Sequence, residues 1–192
     1  NKLTALKLFH EACLEENDPG KKNEFITRAS LATQEAEAII RFTREYEDFG
    51  VVSSRWQQVQ SLILHASSEI AHNGIAIETR NLKDIQIYAD PIIQKVFSTL
   101  IENAIRHGEV LSRIIFSCIP EGEDIIIVCE DDGCGVPVEE KEKIFLHGFG
   151  KNTGLGLFLA REILAITGLT IREIGIYGKG ARFEILVPEG KW

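Results

Sequence analysis

The sequence contains no methionine, and its first residue, Asn1, falls inside an apolar-periodic stretch. From these two features a piece of a longer protein is expected, with any sensor or membrane segment upstream. It has no apolar run near the roughly 20 residues that cross a bilayer. It also has no secretory signal at its start, so a cytoplasmic protein with no membrane contact in these residues is expected. A basic stripe is missing too. Asp and Glu number 29 against 21 Lys and Arg, for a net charge of −8, so nucleic acid is not an expected partner. An acidic chain still binds a nucleotide, because a few N–H groups and one or two cations suffice. The cysteines, Cys13, Cys118, Cys129 and Cys134, form no CxxC pair and have no histidine at metal spacing. They read as reduced thiols, Cys118 and Cys129 as small core residues.

What is present is globular: 44% hydrophobic and 26% charged residues over a length of 192, room for one large domain or two smaller ones. Residues 2–17 read as a helix with Leu3, Leu6 and Cys13 on one seam and His10 among them. Asn17–Asp18–Pro19–Gly20 is a turn signal. Residues 23–49 read as a long helix whose Phe25, Ala29, Ala32, Ala36, Ile39, Thr43 and Tyr46 alternate steps of four and three, a heptad seam with small residues in its middle. A hairpin of about 45 residues has too little core to stand alone. Pairing two hairpins across a twofold axis completes a four-helix bundle, so a homodimer through residues 2–49 is expected. The alternative is a hairpin packed only on its own globular domain.

The predicted division is 1–50 for the hairpin and 51–192 for a globular domain, with a hinge at Gly50–Val51–Val52–Ser53–Ser54. Ser54 is the expected cap of a helix over 55–70, with Trp56, Val59, Leu62, Ile63 and Ala66 on its apolar face. Strands are expected at Gly74–Thr79, Ile85–Tyr88, Arg113–Ile119 and Asp124–Cys129. Further strands at Leu169–Ile176 and Arg182–Val187 turn at Gly178–Lys179–Gly180. Asp90 caps a helix over 91–107 with Pro91 at its first position, and 154–167 makes another helix ending at Gly168. The fold class is α+β: a helical hairpin followed by a sandwich of a mixed sheet with helices on one face.

Three stretches carry chemistry. On the helix 91–107, Thr99, Asn103, Arg106 and His107 share a face opposite the apolar one. Asn103 offers a neutral carbonyl oxygen that suits Mg²⁺ when substrate phosphates supply the charge balance, and Arg106 and His107 lie one turn on, within reach of phosphate oxygens. The alternative is a solvated helix face. Asp131–Asp132–Gly133–Cys134–Gly135–Val136–Pro137 closes an apolar run. Its carboxylate is able to accept from an exocyclic amine such as that of adenine, and Gly133 and Gly135 let backbone approach the ring; the alternative is a tight turn. Gly154–Leu155–Gly156–Leu157 opens a helix whose free N–H groups suit phosphate, directly after Lys151, Asn152 and Thr153. The segment 138–153 before it reads as a lid, or as an ordinary surface loop.

In this order the three stretches resemble the ATP-binding domain of sensor histidine kinases, within the gyrase, heat-shock chaperone and mismatch-repair ATPase superfamily. Residues 97–108 are similar to that family's N box and 131–137 to its first glycine box. Ile144–Phe145 through Phe149 is similar to its F box, Gly154–Leu157 to its second glycine box and Gly178–Phe183 to a final hairpin. The resemblance implies ATP and Mg²⁺ as cofactors. It implies Asn103 as Mg²⁺ ligand and Asp131 as adenine contact, with Arg106 where a phosphate-contacting Lys often stands. His107, Gly133, Gly135, Val136, Lys151, Asn152, Thr153, Gly154, Leu155, Gly156, Leu157 and Phe183 complete the expected nucleotide set. Thr99 departs from the pattern, which usually has a second Asn there.

Position 99 also separates branches. ATPases and anti-sigma serine kinases of the superfamily carry a Glu one turn before the metal-binding Asn, as base on water or a hydroxyl, and Thr99 is no base. Both remain the alternative functions, with a non-catalytic dimeric scaffold as a third. A histidine kinase takes its nucleophile from another domain. Asn1–Lys2–Leu3–Thr4–Ala5–Leu6 resembles the end of an H box, which puts the phosphoacceptor His four residues before Asn1 and gives Asn1 a phosphatase role. His10 is the competing candidate, but the helical repeat turns it into the bundle seam. The implied partner is the receiver domain of a response regulator.

Overall fold

The computed structural model describes residues 8–9, 11–14, 16, 18–30, 33, 53–71, 74–146, 148–149 and 154–192. The chain divides into two compact units, Asn1–Val51 with Gly150–Thr153, and Val52–Phe149 with Gly154–Trp192. In the first unit a helical stretch covers 19–30. It begins at residue 19 rather than 23, because the Asp18 Oδ1 accepts from Gly20 N at 2.7 Å and Lys21 N at 3.1 Å, with Pro19 at the first helical position, where no N–H is needed. Its half-buried positions are Phe25 and Ala29. Asn1, His10 and the seam residues from Ala36 to Tyr46 lie outside the described residues.

The second unit is built on a five-stranded mixed sheet of order β2-β4-β5-β7-β6. The strands are β2 (Ala76–Arg80), β4 (Arg113–Glu121), β5 (Asp124–Asp131), β6 (Thr170–Glu173) and β7 (Arg182–Val187). β2 runs parallel to β4 and the other pairs are antiparallel. β5 is central, and Ile125 to Cys129 are buried without alternation, as an apolar run covered on both faces requires. β4 and β5 turn at Gly122, whose φ is +68°. Pro120 lies past Ser117, the last β4 residue paired with β2, where a missing N–H breaks no ladder on that side.

Three helices pack with the sheet: α1 (Val59–Glu69), α2 (Gln94–His107) and α3 (Gly156–Ile166). Asp90 accepts from Ile92 N at 3.0 Å and starts a 3-10 turn, Pro91–Ile93, that leads into α2. α2 buries Val96, Phe97, Leu100, Ile101 and Ala104, the apolar stripe its spacing requires. Phe97 meets Phe116 edge-on, centroids 6.1 Å apart, which identifies the helix-facing side of the sheet. Phe116 pairs with Cys129, Cys129 with Phe183, and Ile114 with Asp131. By the two-residue repeat of a strand, Asp131 therefore faces the helix layer.

The expectation of a helix over 55–70 with a Ser54 cap is corrected. Arg55–Gln58 is a strand, β1, antiparallel to β3 (Gln86–Ala89) in a separate two-stranded sheet. α1 starts only at Val59, after Gln58, with no side-chain cap. Trp56 stacks edge-on against Tyr88 at 5.6 Å, and Gln57 Nε2 donates to Ala89 O at 2.9 Å. Trp56 and Val59 happen to fall at a helical interval, but cross-strand pairing takes the first of them. The chain also returns to β3 on its other edge: Tyr88 N donates to Lys191 O at 2.7 Å. Nearby, Trp192 Nε1 reaches Glu123 O at 3.2 Å and Glu189 N reaches Asp124 Oδ1 at 2.9 Å.

Candidate nucleotide site

Asp131 is the last residue of β5. Its Oδ1 accepts from Gly133 N at 2.9 Å and from Ala181 N at 3.0 Å. Its Oδ2 has no hydrogen-bond partner among the described residues. Burial pushes this carboxyl above its ordinary range; the two N–H donors pull against that, while the charges of Asp132 and Glu173 add to it. Its neighbour behaves oppositely. Burial raises Asp132 too, but Ser112 Oγ at 2.5 Å, Ser112 N at 2.9 Å and Arg113 N at 3.1 Å all donate to it. They hold it down at about 2. One of two adjacent carboxylates is committed to the fold, and the other keeps an open acceptor.

Two elements converge on the Asp131 turn. The C-terminal end of α2 meets the turn through Cys134 N, which donates to Gly108 O at 3.2 Å, and through the Cys134 thiol, which donates to His107 O at 3.0 Å. A Cβ on Gly133 would stand 2.5 Å from Gly108 Cα, so only glycine permits this contact. The segment 176–181 meets it from the other side: Gly178 N donates to Cys134 O at 2.7 Å and Asp131 N to Ala181 O at 3.1 Å. Gly180, with φ +122°, passes so close that a Cβ would overlap the Asp131 carbonyl, and Gly135, with φ +72°, has Gly180 O 2.7 Å from its Cβ position. The space beside Gly133 and Gly135 is thus filled by protein backbone.

α2 also reaches α3. A Cβ on Gly156 would lie 3.2 Å from Thr99 Cγ2, so the methyl of Thr99 sits against the first residue of α3. Asn103, one turn further along the same stripe, is half-buried, and its amide has no hydrogen-bond partner among the described residues. Arg106 and His107 are exposed. α3 begins after Leu155 with no side-chain cap and no acidic residue in its first turn, which leaves its N-terminal dipole open to an anion. Leu155 and Leu157 are buried. The stripe of α2 therefore runs from the N-terminus of α3, at Thr99, past an unpartnered amide, to the Asp131 turn at His107 and Gly108. Among the described residues no group of three His, Cys, Asp or Glu is placed to hold a metal, so a cation here fits the donor set only if a phosphate ligand brings its own oxygens.

The segment after Pro137 is held rather than loose over 138–146. Two 3-10 turns, Val138–Glu140 and Lys143–Phe145, bring Phe145 into the core. There it lies edge-on to Phe183 at 6.3 Å, with the Arg161 guanidinium 5.7 Å from its centroid. Phe183 is a buried partner of that ring, 4% exposed. Gly148 N donates to Gly154 O at 3.1 Å, and Gly154, with φ +58°, has Phe149 N 2.6 Å from its Cβ position. Lys151, Asn152 and Thr153, expected near phosphate, lie outside the described residues. Ala181 steadies Asp131 through its N–H, Gly108 packs against Gly133, and Gly180 packs against the Asp131 carbonyl; all three act through backbone, which a reading of side-chain chemistry does not register.

The family model described as histidine kinase-, DNA gyrase B-, and HSP90-like ATPase matches residues 88–191. Among curated proteins, the alginate biosynthesis sensor protein KinB of Pseudomonas aeruginosa is 35% identical over 101 residues, 50% of this chain and 17% of its own length. The sensor histidine kinase WalK of Bacillus subtilis is 25% identical over 211 aligned positions, 97% of this chain and 34% of its own length. Among solved structures, the catalytic domain of histidine kinase ThkA is 26% identical, with a TM-score of 0.60 over 72% of this chain and 97% of that one. Full-length ShkA in complex with AMPPNP is 16% identical, with a TM-score of 0.66 over 100% of this chain and 47% of that one; it shares the fold.

Proposed function

The chain belongs to the histidine kinase-, DNA gyrase B-, and HSP90-like ATPase family, and from that premise we propose that it is the ATP-binding core of a two-component sensor histidine kinase. It spans 34% or less of the length of the first curated relatives it matches, so the activity proposed is that of a larger protein. That protein transfers the γ-phosphoryl group of ATP to a histidine and passes it to an aspartate of a response-regulator receiver domain. It works as a homodimer through the hairpin of residues 2–49. The histidine lies upstream of Asn1, with Asn1 in a phosphatase role and His10 as the alternative acceptor.

The observation that carries the reading is Asp131. A half-buried carboxylate with one oxygen saturated by backbone and the other unpartnered is a ready acceptor for an exocyclic amine. Asn103 is the side chain that would hold Mg²⁺, its free amide oxygen matching a cation that keeps waters and takes phosphate oxygens. When bound, the ion supplies charge neutralisation on the phosphates. Arg106, His107, Lys151, Asn152, Thr153 and the N–H groups opened by Gly154, Leu155, Gly156 and Leu157 attract and orient the phosphate chain. Val136 lines the base. Thr99 weighs against an ATPase or serine kinase, since its methyl packs on Gly156 where those branches place a carboxylate base.

Calorimetry of the 192-residue chain with AMP-PNP, with and without Mg²⁺, tests the site. Asn103→Ala is expected to abolish the Mg²⁺-dependent part of the affinity and leave the Mg²⁺-free part. Unchanged Mg²⁺ dependence would refute the assignment.

A further inference from the structure

A second carboxylate, this one buried, stands beside the first. Glu173, at the end of β6, has a side chain with no exposed surface. Its Oε1 accepts from Gly175 N at 2.8 Å and Arg182 N at 3.1 Å. Its Oε2 accepts from Lys141 Nζ at 2.5 Å, and the same ammonium donates to Gly175 O at 2.6 Å. Lys141 is itself mostly buried, 17% exposed. Burying a carboxylate costs little only when its oxygens are paired, and here the Lys141 side chain and two N–H donors pair both.

The geometry of the acceptors is the telling feature. Ala181 N donates to Asp131 and the next N–H, Arg182 N, donates to Glu173. Two successive amides of one segment are clamped by two carboxylates, a half-buried one from β5 and a buried one from β6. The peptide plane between them, Ala181–Arg182, is fixed at both ends: its N–H donates to Glu173 Oε1, and its carbonyl, Ala181 O, accepts from Asp131 N at 3.1 Å. Ala181 N lies on the preceding plane, which joins this one at Ala181 Cα, so the aim of that N–H at Asp131 Oδ1 depends on the clamp, and the direction of Oδ2 follows, because the two oxygens share one rigid carboxylate.

We infer that Glu173, charge-balanced by Lys141, is a positioning residue for the base contact of Asp131, so that selection of adenine over guanine depends on an ion pair that does not touch Asp131. This rests on the reading of Asp131 as the acceptor of an exocyclic amine. Adenine presents an N–H donor at the atom where guanine presents a carbonyl oxygen, so an aimed carboxylate favours the first and repels the second. A carboxylate that swings discriminates less.

The test is the ratio of AMP-PNP to GMP-PNP affinity in the 192-residue chain, measured by calorimetry. A fall in the folded fraction scales both affinities equally and leaves the ratio alone, so a merely structural role does not move it. The informative variant is Lys141→Met with Glu173→Leu together. An apolar pair commonly replaces a buried ion pair without loss of stability, yet it removes the acceptor of Arg182 N. The expected result is a ratio lowered by about tenfold or more, the scale of one charge-assisted hydrogen bond. A folded double variant with the parent ratio would overturn the inference. Should the pair not fold, Glu173→Asp keeps the charge and withdraws the oxygens by one methylene. It is expected to lower the ratio severalfold, and a parent ratio there overturns the inference equally. A parent chain with no preference for AMP-PNP would instead sink the base contact itself, and the inference with it.

Discussion

Replacing Asp131 by Asn separates binding from folding at a single atom. The side chain keeps its shape. The amide oxygen takes the place of Oδ1 and still accepts from Gly133 N and Ala181 N, now 2.9 and 3.0 Å away. The amide nitrogen takes the place of Oδ2 and presents N–H groups where the carboxylate presented an acceptor. An exocyclic amine then meets a donor instead of a charged oxygen. A hydrogen bond to an ionised acceptor contributes about 1.5–3 kcal/mol, and each 1.4 kcal/mol is tenfold, so AMP-PNP affinity should fall by roughly 10- to 150-fold. Stability should move the other way. Burial raises this carboxyl above its ordinary value, so the folded state holds its proton more tightly than the unfolded chain. Such a group lowers stability at neutral pH, and stability returns as pH falls through the folded value. The Asn variant without nucleotide should melt at or above the parent at pH 7, with the gap closing as the buffer is acidified. Calorimetry with AMP-PNP and thermal melts between pH 7 and 4 measure both halves. Binding within threefold of the parent, or a binding loss accompanied by a lower melting temperature, would refute the reasoning.

Asp132 carries the opposite pH signature: held at about 2 against 3.8, it contributes stability above its unfolded value that is lost as pH falls toward 2, and Asp132→Asn should flatten the acid limb of a melting-temperature profile. Phe145→Ala removes a ring buried against Phe183 and Arg161 and should destabilise by about 3–5 kcal/mol in urea titrations. Gly180→Ala drives a Cβ into the Asp131 carbonyl and should cost about 2 kcal/mol or more, with nucleotide binding lost in whatever fraction stays folded.

The α2 stripe was legible because a helix places every third and fourth residue together, and the buried and polar faces of 94–107 separate as that repeat requires. β5 was legible because a central strand is apolar throughout. Arg55–Gln58 was not. A four-residue strand of polar and aromatic residues carries no alternation, and its partner lies about 30 positions away, so only pairing with Gln86–Ala89 reveals it. Within the candidate site, side chains that act by chemical type stood out, Asp131 and Asn103 above all. The glycines stood out as well, but sequence shows that a Cβ is missing and not what fills its place, which here is backbone. Ala181, which acts by its N–H alone, left no trace. The lid expectation over 138–153 met an anchored 138–146, because Lys141 and Phe145 each find a buried partner far along the chain.

β3 is flanked by β1 on one edge and by Lys191 on the other. In terms of synthesis, this sets an order of events. A ribosome releases residues 55–58 long before residue 191, and every other strand of the unit emerges between them. The small sheet cannot take its final form until the last of that stretch is out of the exit tunnel, so this unit closes after translation of its whole length rather than piece by piece. Until then Tyr88 N has no carbonyl to bond, and β3 offers a bare strand edge to whatever is near.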